Sequence, residues 1–403
     1  MLCSTLMRRK LMVIASLLGL VCLSCFWMFT RAVIANEGCS DGQSRQYLEE
    51  LCTNYSRGLV TGSLCTPLCV QQDIQFSRCI GHGVKPHVLT ALWRDTRIIM
   101  KAAPGDIGIE QLFLPMESSQ DDFSITKDKF IEHAKVVQTS IYYEISRVNP
   151  QSVTRMIERV VKECDIGQDN MLTIAEVTSC WMLLETKEYS FYQLLKGNSA
   201  LPELLGVCGN LYAMQYSPSE PFLGFLTNWF EVRNWKFRVQ LALGLLEMVK
   251  TLERTEFGTV YLCDIQESNF GVVRRVDGSL IVKAIDMDIS FFDRSLIMQI
   301  EYEQNNTCSS DKECDFIACH VKCDQRRKQC SGVLSSSNLR SICTRIFRRT
   351  YSYQPALLLN PPKRIAGQLK TLLDQCGQSE SPHLDWMLLN QLQTLLTDSI
   401  KFL

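Results

Sequence analysis

Apolar and polar positions along the chain predict both helices and strands. Short β-rich runs flank the turn signals Arg94–Asp95, Gly209–Asn210 and Asp277–Gly278, so a hairpin is expected at each. Elsewhere apolar residues recur every three or four positions, which is typical of helices. These positions are Val153, Met156, Ile157, Val160 and Val161; Trp181, Leu184, Phe191 and Leu195; and Phe237, Leu241, Leu245, Met248 and Leu252. With a further helix expected near Lys127 to Ser146, the pattern predicts an α+β fold.

The first apolar run is long enough to cross a membrane. Leu11 to Phe29 carries no charge, and as a helix it would span about 28 Å, close to the thickness of a bilayer core. Basic residues at 8–10 precede it, so we expect a cytoplasmic tail at 1–10, a transmembrane signal-anchor at 11–29 and a lumenal body. A cleaved signal peptide ending near Ala35 is the alternative.

Cysteine usage also favours a lumenal body. The chain has 19 cysteines, a number unusual for a cytosolic protein, and most lie in a juxtamembrane segment, 36–80, and a later segment, 308–343. We expect disulfides rather than zinc, because the spacings do not give two C-x2-C pairs, but the pairing cannot be deduced from spacing. Two glycosylation sequons, at Asn54 and Asn305, lie beside these segments.

Charge and composition restrict both the partners expected for this protein and the class of protein to which it belongs. A net charge of −1 over 403 residues gives no electrostatic basis for binding nucleic acid, so no nucleic-acid partner is expected. An apolar content of 46% is typical of a globular protein with a large core rather than a disordered one.

An acidic stretch lies between two predicted helices. Its carboxylates, Asp165, Asp169 and Glu176, fall at positions 1, 5 and 12 of an EF-hand loop, where oxygen ligands hold Ca²⁺. Position 3 is Gly167, which offers no side-chain ligand. The sequence therefore predicts an EF-hand-like insertion at 153–188 with weak calcium binding, and the alternative is a solvated acidic loop.

Three polar residues follow the third helix in an order that phosphoryl-transfer enzymes use. Asp264 and Asn269 have the spacing of a catalytic Asp and a metal-binding Asn. Asp286 closes the next apolar strand, where a second metal ligand would stand. The spacing of Asp264 and Asn269 alone is common by chance, and the order of the elements is what favours a catalytic loop.

A lysine and a glutamate complete this set. Lys101 ends a β-rich run that follows Gly81 and Gly83, where backbone and ammonium would contact phosphates. Glu188 falls in phase with apolar helical positions, so its carboxylate is expected to pair with Lys101, with Glu185 as the alternative. An ordinary hairpin with an exposed lysine is the simpler interpretation.

Longer motifs resemble those of one family. They are LCTNYSRGLVTGSLCTPLCV, LLGVCGNLYAMQ, LCDIQESNF, AIDMDISFF and CSSDKECDFIACHVKCDQRRKQC. Over almost its whole length the chain resembles the divergent protein kinase domain 1 family, cysteine-rich type II membrane proteins of the endoplasmic reticulum. The resemblance implies a protein-kinase-like two-lobe fold, with an N-lobe at 81–216 that contains the insertion and a C-lobe at 217–403. It also implies residence in the endoplasmic reticulum membrane or the Golgi.

The chain departs from ordinary kinases around the catalytic loop. Leu262 and Cys263 stand where His and Arg precede the catalytic Asp, and Gln266 stands where many kinases have a phosphate-contacting Lys. Asp288 replaces the Gly of D-F-G. A cysteine-rich segment occupies the region expected for an activation loop, so ordering of that loop by phosphorylation is not expected.

Two functions from different classes follow. One is a lumenal kinase that binds ATP with Mg²⁺ or Mn²⁺ and phosphorylates a hydroxyl of an unidentified protein or glycan. The other is a catalytically inactive kinase-fold scaffold or binding module, gated by calcium or nucleotide.

Overall fold

The structure is a computed structural model, and it describes most of the chain after residue 39. The described residues are 40–81, 88–102, 124–141, 150–167, 169–219, 234–303, 307–335, 337–348, 356–379 and 382–401. Among their helices, none is both long and apolar enough to cross a membrane. The predicted anchor at 11–29 lies outside the described residues, as do Gly83 and Asn305.

A five-stranded antiparallel sheet organises the N-terminal part. Its order is β1-β2-β3-β7-β6, and the predicted hairpins at Arg94–Asp95 and Gly209–Asn210 are both present within it. The first strand comes from inside the cysteine-rich segment. The strands are β1 Ile74–Cys79, β2 Val88–Trp93, β3 Thr96–Ala102, β6 Leu204–Cys208 and β7 Leu211–Gln215.

The cysteine-rich segment covers one face of this sheet. Its helix α1, Asp41–Ser56, buries Leu48 and Leu51 in a cluster with Met100 and other sheet residues. Gly62 has a φ of +149°, and a Cβ there would lie 2.3 Å from the Val207 carbonyl oxygen of β6. This contact leaves room for no other side chain at 62. The segment is thus packed into the N-terminal core.

Helices cover the other face of the sheet. A short pair of strands, β4 Ser124–Thr126 and β5 Met171–Thr173, joins two helix pairs there. The helices are α2 Lys127–Ile141, α3 Pro150–Cys164, α4 Ile174–Glu185 and α5 Lys187–Leu194. The sequence pattern predicted one helical stripe from Trp181 to Leu195. Thr186 is instead extended, with ψ of 100°, and separates α4 from α5.

The C-terminal part is built around the buried helix α6, Trp235–Leu252, which corresponds to the predicted stripe 237–252. Gly244 lets this helix approach β10, because a Cβ there would lie 2.5 Å from Val282 Cγ2. Two antiparallel pairs, β8 with β11 and β9 with β10, lie beside it, and the predicted turn at Asp277–Gly278 joins β9 and β10 into a hairpin. The strands are β8 Val260–Leu262, β9 Phe270–Arg274, β10 Leu280–Ala284 and β11 Ser290–Phe292.

The remaining C-terminal elements close the core. Two long helices pack together, the second of them also packs against α6, and a small three-stranded sheet carries the second cysteine-rich segment. The elements are α7 Asp293–Glu303, β12 Asp315–Phe316, β13 Cys319–Asp324, β14 Gln329–Leu334, α8 Asn338–Ile342, α9 Lys363–Gly377 and α10 Pro382–Ile400.

Disulfides rather than zinc organise both cysteine-rich segments, as the sequence predicts. The sulfurs of Cys308, Cys314 and Cys330 lie within 4.8 Å of one another, but each belongs to a disulfide, so no thiolate remains for a metal. The pairs with both cysteines among the described residues are Cys52–Cys69, Cys65–Cys208, Cys263–Cys319, Cys308–Cys323, Cys314–Cys330 and Cys343–Cys376.

Candidate functional site

Strand alternation directs Lys101 toward the helices. Along β3, Ile98 and Met100 enter the cluster with the cysteine-rich segment, whereas Ile99 enters the main core on the helical face. Lys101 has the same phase as Ile99. Its Nζ donates to Glu188 Oε1 at 2.7 Å and to the Ile285 carbonyl oxygen at 2.7 Å. The predicted lysine–glutamate pair is therefore present and buried.

Glu188 holds more than this lysine. Its carboxylate accepts hydrogen bonds from the Tyr212 hydroxyl at 2.7 Å, the Tyr192 hydroxyl at 3.2 Å and the Met287 backbone N–H at 3.2 Å. Burial, reinforced by the negative charge of Glu188, raises the pKa of both tyrosines well above the ordinary value. Both hydroxyls therefore stay protonated and act as donors, which leaves the carboxylate fully satisfied.

The predicted catalytic loop follows β8 and is closed by its own side chains. Asn269, the last residue of a 3₁₀ turn, is buried, and its Nδ2 donates to the Asp264 carbonyl oxygen at 3.0 Å and to Asp264 Oδ2 at 2.8 Å. Gln266 Nε2 also donates to Asp264 Oδ2, at 2.9 Å. The five-residue spacing thus brings the two predicted residues into direct contact.

Asp286 joins these residues two positions after β10 ends. A small cavity is lined by Asp264, Asn269 and Asp286 together with apolar neighbours. Backbone contacts on both sides of Asp286 connect it to the rest of the site, since Ile285 N–H donates to the Asn269 carbonyl at 3.0 Å and Met287 N–H to Glu188. Lys101, Glu188, Asp264, Asn269 and Asp286 therefore form one continuous site.

The predicted glycine loop is described only at its start. Gly81 is buried two residues after the end of β1, and Ile80 between them donates its N–H to the Val88 carbonyl at 2.8 Å. Gly83 and the rest of the turn lie outside the described residues, so a contact of this turn with phosphates stays a prediction.

A disulfide fixes the residue that precedes Asp264 in the predicted catalytic loop. Cys263, which stands where kinases have Arg, is bonded to Cys319 at the start of β13. Backbone hydrogen bonds add to this connection, from Ala318 N–H to the Cys263 carbonyl at 2.9 Å and from Cys263 N–H to the Ile289 carbonyl at 3.0 Å. The residue before Asp264 is thereby fixed covalently to the second cysteine-rich segment.

Lys187 brings a second amine close to the site. Its Nζ lies 3.3 Å from the centroid of the Phe291 ring, a cation–π geometry. Burial lowers the pKa of Lys187 to about 7, and the negative charge of Asp288 opposes this shift. Asp288, which replaces the Gly of D-F-G, thus lies close enough to the Lys187 amine to favour its charged form.

The acidic loop forms the predicted helix–loop–helix, and its carboxylates are engaged by groups of the chain itself. Asp165 forms an ion pair with Lys127, and Asp169 Oδ1 accepts from Met171 N–H at 2.8 Å. Glu176 and Thr173 form a capping box at the start of α4.

Comparison with protein families agrees with this architecture. Residues 180–379 match a family model described as the protein-kinase domain of FAM69, and residues 5–146 match one described as the N-terminal cysteine-rich endoplasmic reticulum region of FAM69. The chain belongs to the FAM69 family. The resemblance to the divergent protein kinase domain 1 family is confirmed. The FAM69 kinase-domain match contains Glu188 and the three polar residues of the C-terminal part, whereas Lys101 lies within the N-terminal match.

Sequence reasoning missed several residues that build this FAM69 site. Tyr192 follows Glu188 by four residues in α5, and Tyr212 is the cross-strand partner of Lys101, so helix spacing and strand register could have found both. The bond between Cys263 and Cys319 left no such signal, because disulfide pairing cannot be deduced from spacing.

Proposed function

We propose that this FAM69 chain binds ATP with Mg²⁺ or Mn²⁺ at the site formed by Lys101, Glu188, Asp264, Asn269 and Asp286. We propose further that it transfers the γ-phosphoryl group to a hydroxyl of a protein or glycan. The observation that carries the proposal is the continuous chain of contacts from Lys101 through Glu188, and through the backbone N–H groups of Met287 and Ile285 on either side of Asp286, to Asn269 and Asp264.

The donor set suits a metal–nucleotide. Asp286 and Asn269 offer the carboxylate and amide oxygens that Mg²⁺ and Mn²⁺ prefer, and they line the same cavity. Lys101 would contact phosphate oxygens, and Glu188 holds its ammonium in place. A bound metal–nucleotide would supply the phosphoryl group and neutralise its charge.

Asp264 has the role of orienting the acceptor. Its carboxylate would accept the proton of the attacking hydroxyl, and Asn269 keeps it aimed through the bond at 2.8 Å. In ordinary kinases an Arg before the catalytic Asp binds the phosphorylated activation loop and so positions the catalytic loop. Here the Cys263–Cys319 disulfide positions the loop that carries Asp264 instead. On this account the loop is held in place permanently rather than on phosphorylation.

The proposed setting is the lumen of the endoplasmic reticulum or Golgi, reached by a single-pass type II anchor at 11–29. Six disulfides in the described residues favour an oxidising compartment, and the N-terminal family match is described by its cysteine-rich endoplasmic reticulum character. The acceptor is expected to be a secretory-pathway protein or glycan.

A second function is a nucleotide-binding scaffold without transfer. It is favoured by the internal hydrogen bonds of Asp264, whose Oδ2 already accepts from both Gln266 and Asn269. In that case the site would bind nucleotide, and Asp264 would not take part in phosphoryl transfer.

A thermal-shift experiment on the purified full-length chain tests the nucleotide proposal. ATP at ~100 times its Kd should stabilise the wild type by about 2.7 kcal/mol in the presence of Mg²⁺ or Mn²⁺. Asp286→Ala should abolish this stabilisation because it removes a metal ligand. Asp264→Ala should largely keep it, because the catalytic Asp contributes little to holding ATP.

The outcomes separate the two functions. A wild type that shows no shift at millimolar ATP with either metal would contradict nucleotide binding. A shift that disappears in Asp286→Ala, with phosphoryl transfer that disappears in Asp264→Ala, would support the kinase. A shift without transfer to any hydroxyl tested would favour the scaffold.

A further inference from the structure

The β4–β5 pair places a lysine at the mouth of the acidic loop. β4 runs antiparallel to β5, which forms loop positions 7 to 9, with Ile125 opposite Leu172. Lys127 follows β4 directly as the first residue of α2, and its N–H donates to the carbonyl of Asn170 in the loop at 3.1 Å. The backbone of Lys127 is therefore hydrogen-bonded to the loop independently of its side chain.

The ammonium of Lys127 pairs with the first carboxylate of the loop. Nζ of Lys127 contacts Oδ2 of Asp165, and the two side chains are only 20% and 10% exposed. In an EF-hand the carboxylate at position 1 is a calcium ligand. Here this carboxylate already has a cation belonging to the chain.

The last carboxylate of the loop is also engaged. Glu176 Oε1 accepts from the N–H groups of Ile166 at 2.9 Å and Gly167 at 3.4 Å. Its Oε2 accepts from Thr173 N–H at 2.8 Å and Thr173 Oγ1 at 2.9 Å. The carboxylate that would bind calcium through both oxygens instead ties the two ends of the loop together.

These contacts do not fit a calcium ion. Ca²⁺ takes six to eight oxygen ligands, whereas position 3 is a glycine and the carboxylates at positions 1 and 12 have other partners. An ion near Asp165 would also stand within a few ångströms of the Lys127 ammonium, and like charges at that distance repel. Calcium would have to displace Lys127 and break the Glu176 bonds.

We infer that Lys127 is the internal cation of this loop and takes the place that calcium has in an EF-hand. Its ammonium neutralises Asp165 and fixes the start of α2 to the end of α3, so the helix–loop–helix is formed without a metal. A divalent ion enters the loop only when this ammonium is removed. The inference concerns a site separate from the nucleotide site and does not depend on it.

Removal of the lysine charge tests this inference. Lys127→Met keeps most of the side-chain length and removes the ammonium, and the full-length variant is compared with the wild type in chelator and in millimolar Ca²⁺. We expect Ca²⁺ to raise the melting temperature of Lys127→Met by at least about 2 °C and to leave the wild type unchanged. Calorimetry should show a calcium heat only in the variant.

Matched variants separate the ion pair from a general loss of charge. Lys129→Met removes an exposed lysine two residues further along α2, and Lys127→Arg keeps the charge, so neither should gain a calcium response. Adding Asp165→Asn to Lys127→Met should abolish the response, since calcium would enter through Asp165.

The inference is overturned if wild type and Lys127→Met respond equally to Ca²⁺, including no response in either. A calcium heat in the wild type that disappears in Glu176→Gln would overturn it as well. That second measurement needs no Lys127 variant, so the inference remains testable even if Lys127→Met fails to fold.

Discussion

The two halves of the candidate nucleotide site are held in place by different kinds of bond. In the N-terminal half, Lys101 is fixed by a buried ion pair with Glu188 and by the two tyrosine hydroxyls that complete the carboxylate. In the C-terminal half, the residue before Asp264 is held by the disulfide from Cys263 to Cys319.

This difference means that the halves should respond to different changes. A buried ion pair often stabilises a protein no more than apolar residues of similar volume would. Removing one partner is nevertheless strongly destabilising, because it leaves an uncompensated buried charge. A disulfide acts mainly on the unfolded chain and is sensitive to reduction. The N-terminal half should therefore depend on the identity of single side chains, and the C-terminal half on the redox state.

The largest effect should come from breaking the N-terminal half. Glu188→Ala leaves the Lys101 ammonium buried with only the Ile285 carbonyl as a described acceptor, so the free energy of unfolding should fall by about 3 to 5 kcal/mol. Chemical denaturation measures this loss.

Glu185→Ala is the matched control. Glu185 lies three residues earlier, is exposed and accepts from Trp181 Nε1 at 2.7 Å, so its loss should cost at most about 1 kcal/mol. If Glu188→Ala and Glu185→Ala lowered the free energy of unfolding equally, the Lys101–Glu188 ion pair would not be what stabilises the N-terminal half.

Breaking the C-terminal half should have the next largest effect. Cys263→Ser with Cys319→Ser opens a bond that closes 56 residues of chain, so stability should fall by about 2 to 4 kcal/mol. On the proposed role of the bond in positioning Asp264, phosphoryl transfer should fall further than nucleotide binding. Denaturation, thermal shift and transfer assays on the same variant measure the three quantities.

A second disulfide of the C-terminal half supplies the comparison. Cys343→Ser with Cys376→Ser removes a bond with a separation of 33 residues that is not attached to the segment 262–269. It should lower stability comparably and leave the proposed phosphoryl transfer per folded molecule unchanged. If both double variants lose transfer to the same extent, the bond at Cys263 has no positioning role.

A smaller effect, of opposite sign, should come from the half-buried Glu253, which directly follows α6. Burial, with the charge of Asp385 adding to it, raises the pKa of Glu253 to about 7, while Arg254 and the Leu339 N–H act in the other direction. The folded state therefore binds more protons than the unfolded state between pH 4.5 and 7, and stability falls as pH rises through that window.

Glu253→Gln should remove this dependence. The variant should match the wild type below pH 4.5 and be more stable by about 1 to 3 kcal/mol above pH 7, where the wild-type carboxylate is charged. Melting temperatures at pH 4.5 and 8 measure the difference. Glu256→Gln, at an exposed neighbouring position, is the control. If Glu253→Gln gained the same stability at pH 4.5 and at pH 8, the assignment of the raised pKa to Glu253 would be contradicted.

The sequence predicts the elements of the site better than the bonds between them. The turns at Arg94–Asp95 and Asp277–Gly278 and the helix of Phe237 to Leu252 follow from local residue patterns, and all are present. Glu188 was expected on one continuous apolar stripe, yet the helix breaks at Thr186. Its burial follows from the partners around it rather than from helical phase.

The remaining features depend on contacts between distant segments. Lys127 reaches Asp165 only because β4 pairs with β5, and no local pattern specifies this pairing of two three-residue strands. The cysteine-rich segment becomes part of the N-terminal core through Cys65–Cys208, which spans 143 residues. Such long-range pairings need the tertiary structure.

Direct titration of the nucleotide tests the central claim, that both halves form one metal–nucleotide site. Full-length wild type and Asp286→Asn, which conserves shape and removes the charge, would be titrated with ATP and Mn²⁺ by calorimetry. We predict one-site binding to the wild type and a loss of affinity of at least about tenfold, or 1.4 kcal/mol, in Asp286→Asn. Equal binding to both proteins, or no binding to the wild type, would contradict the account.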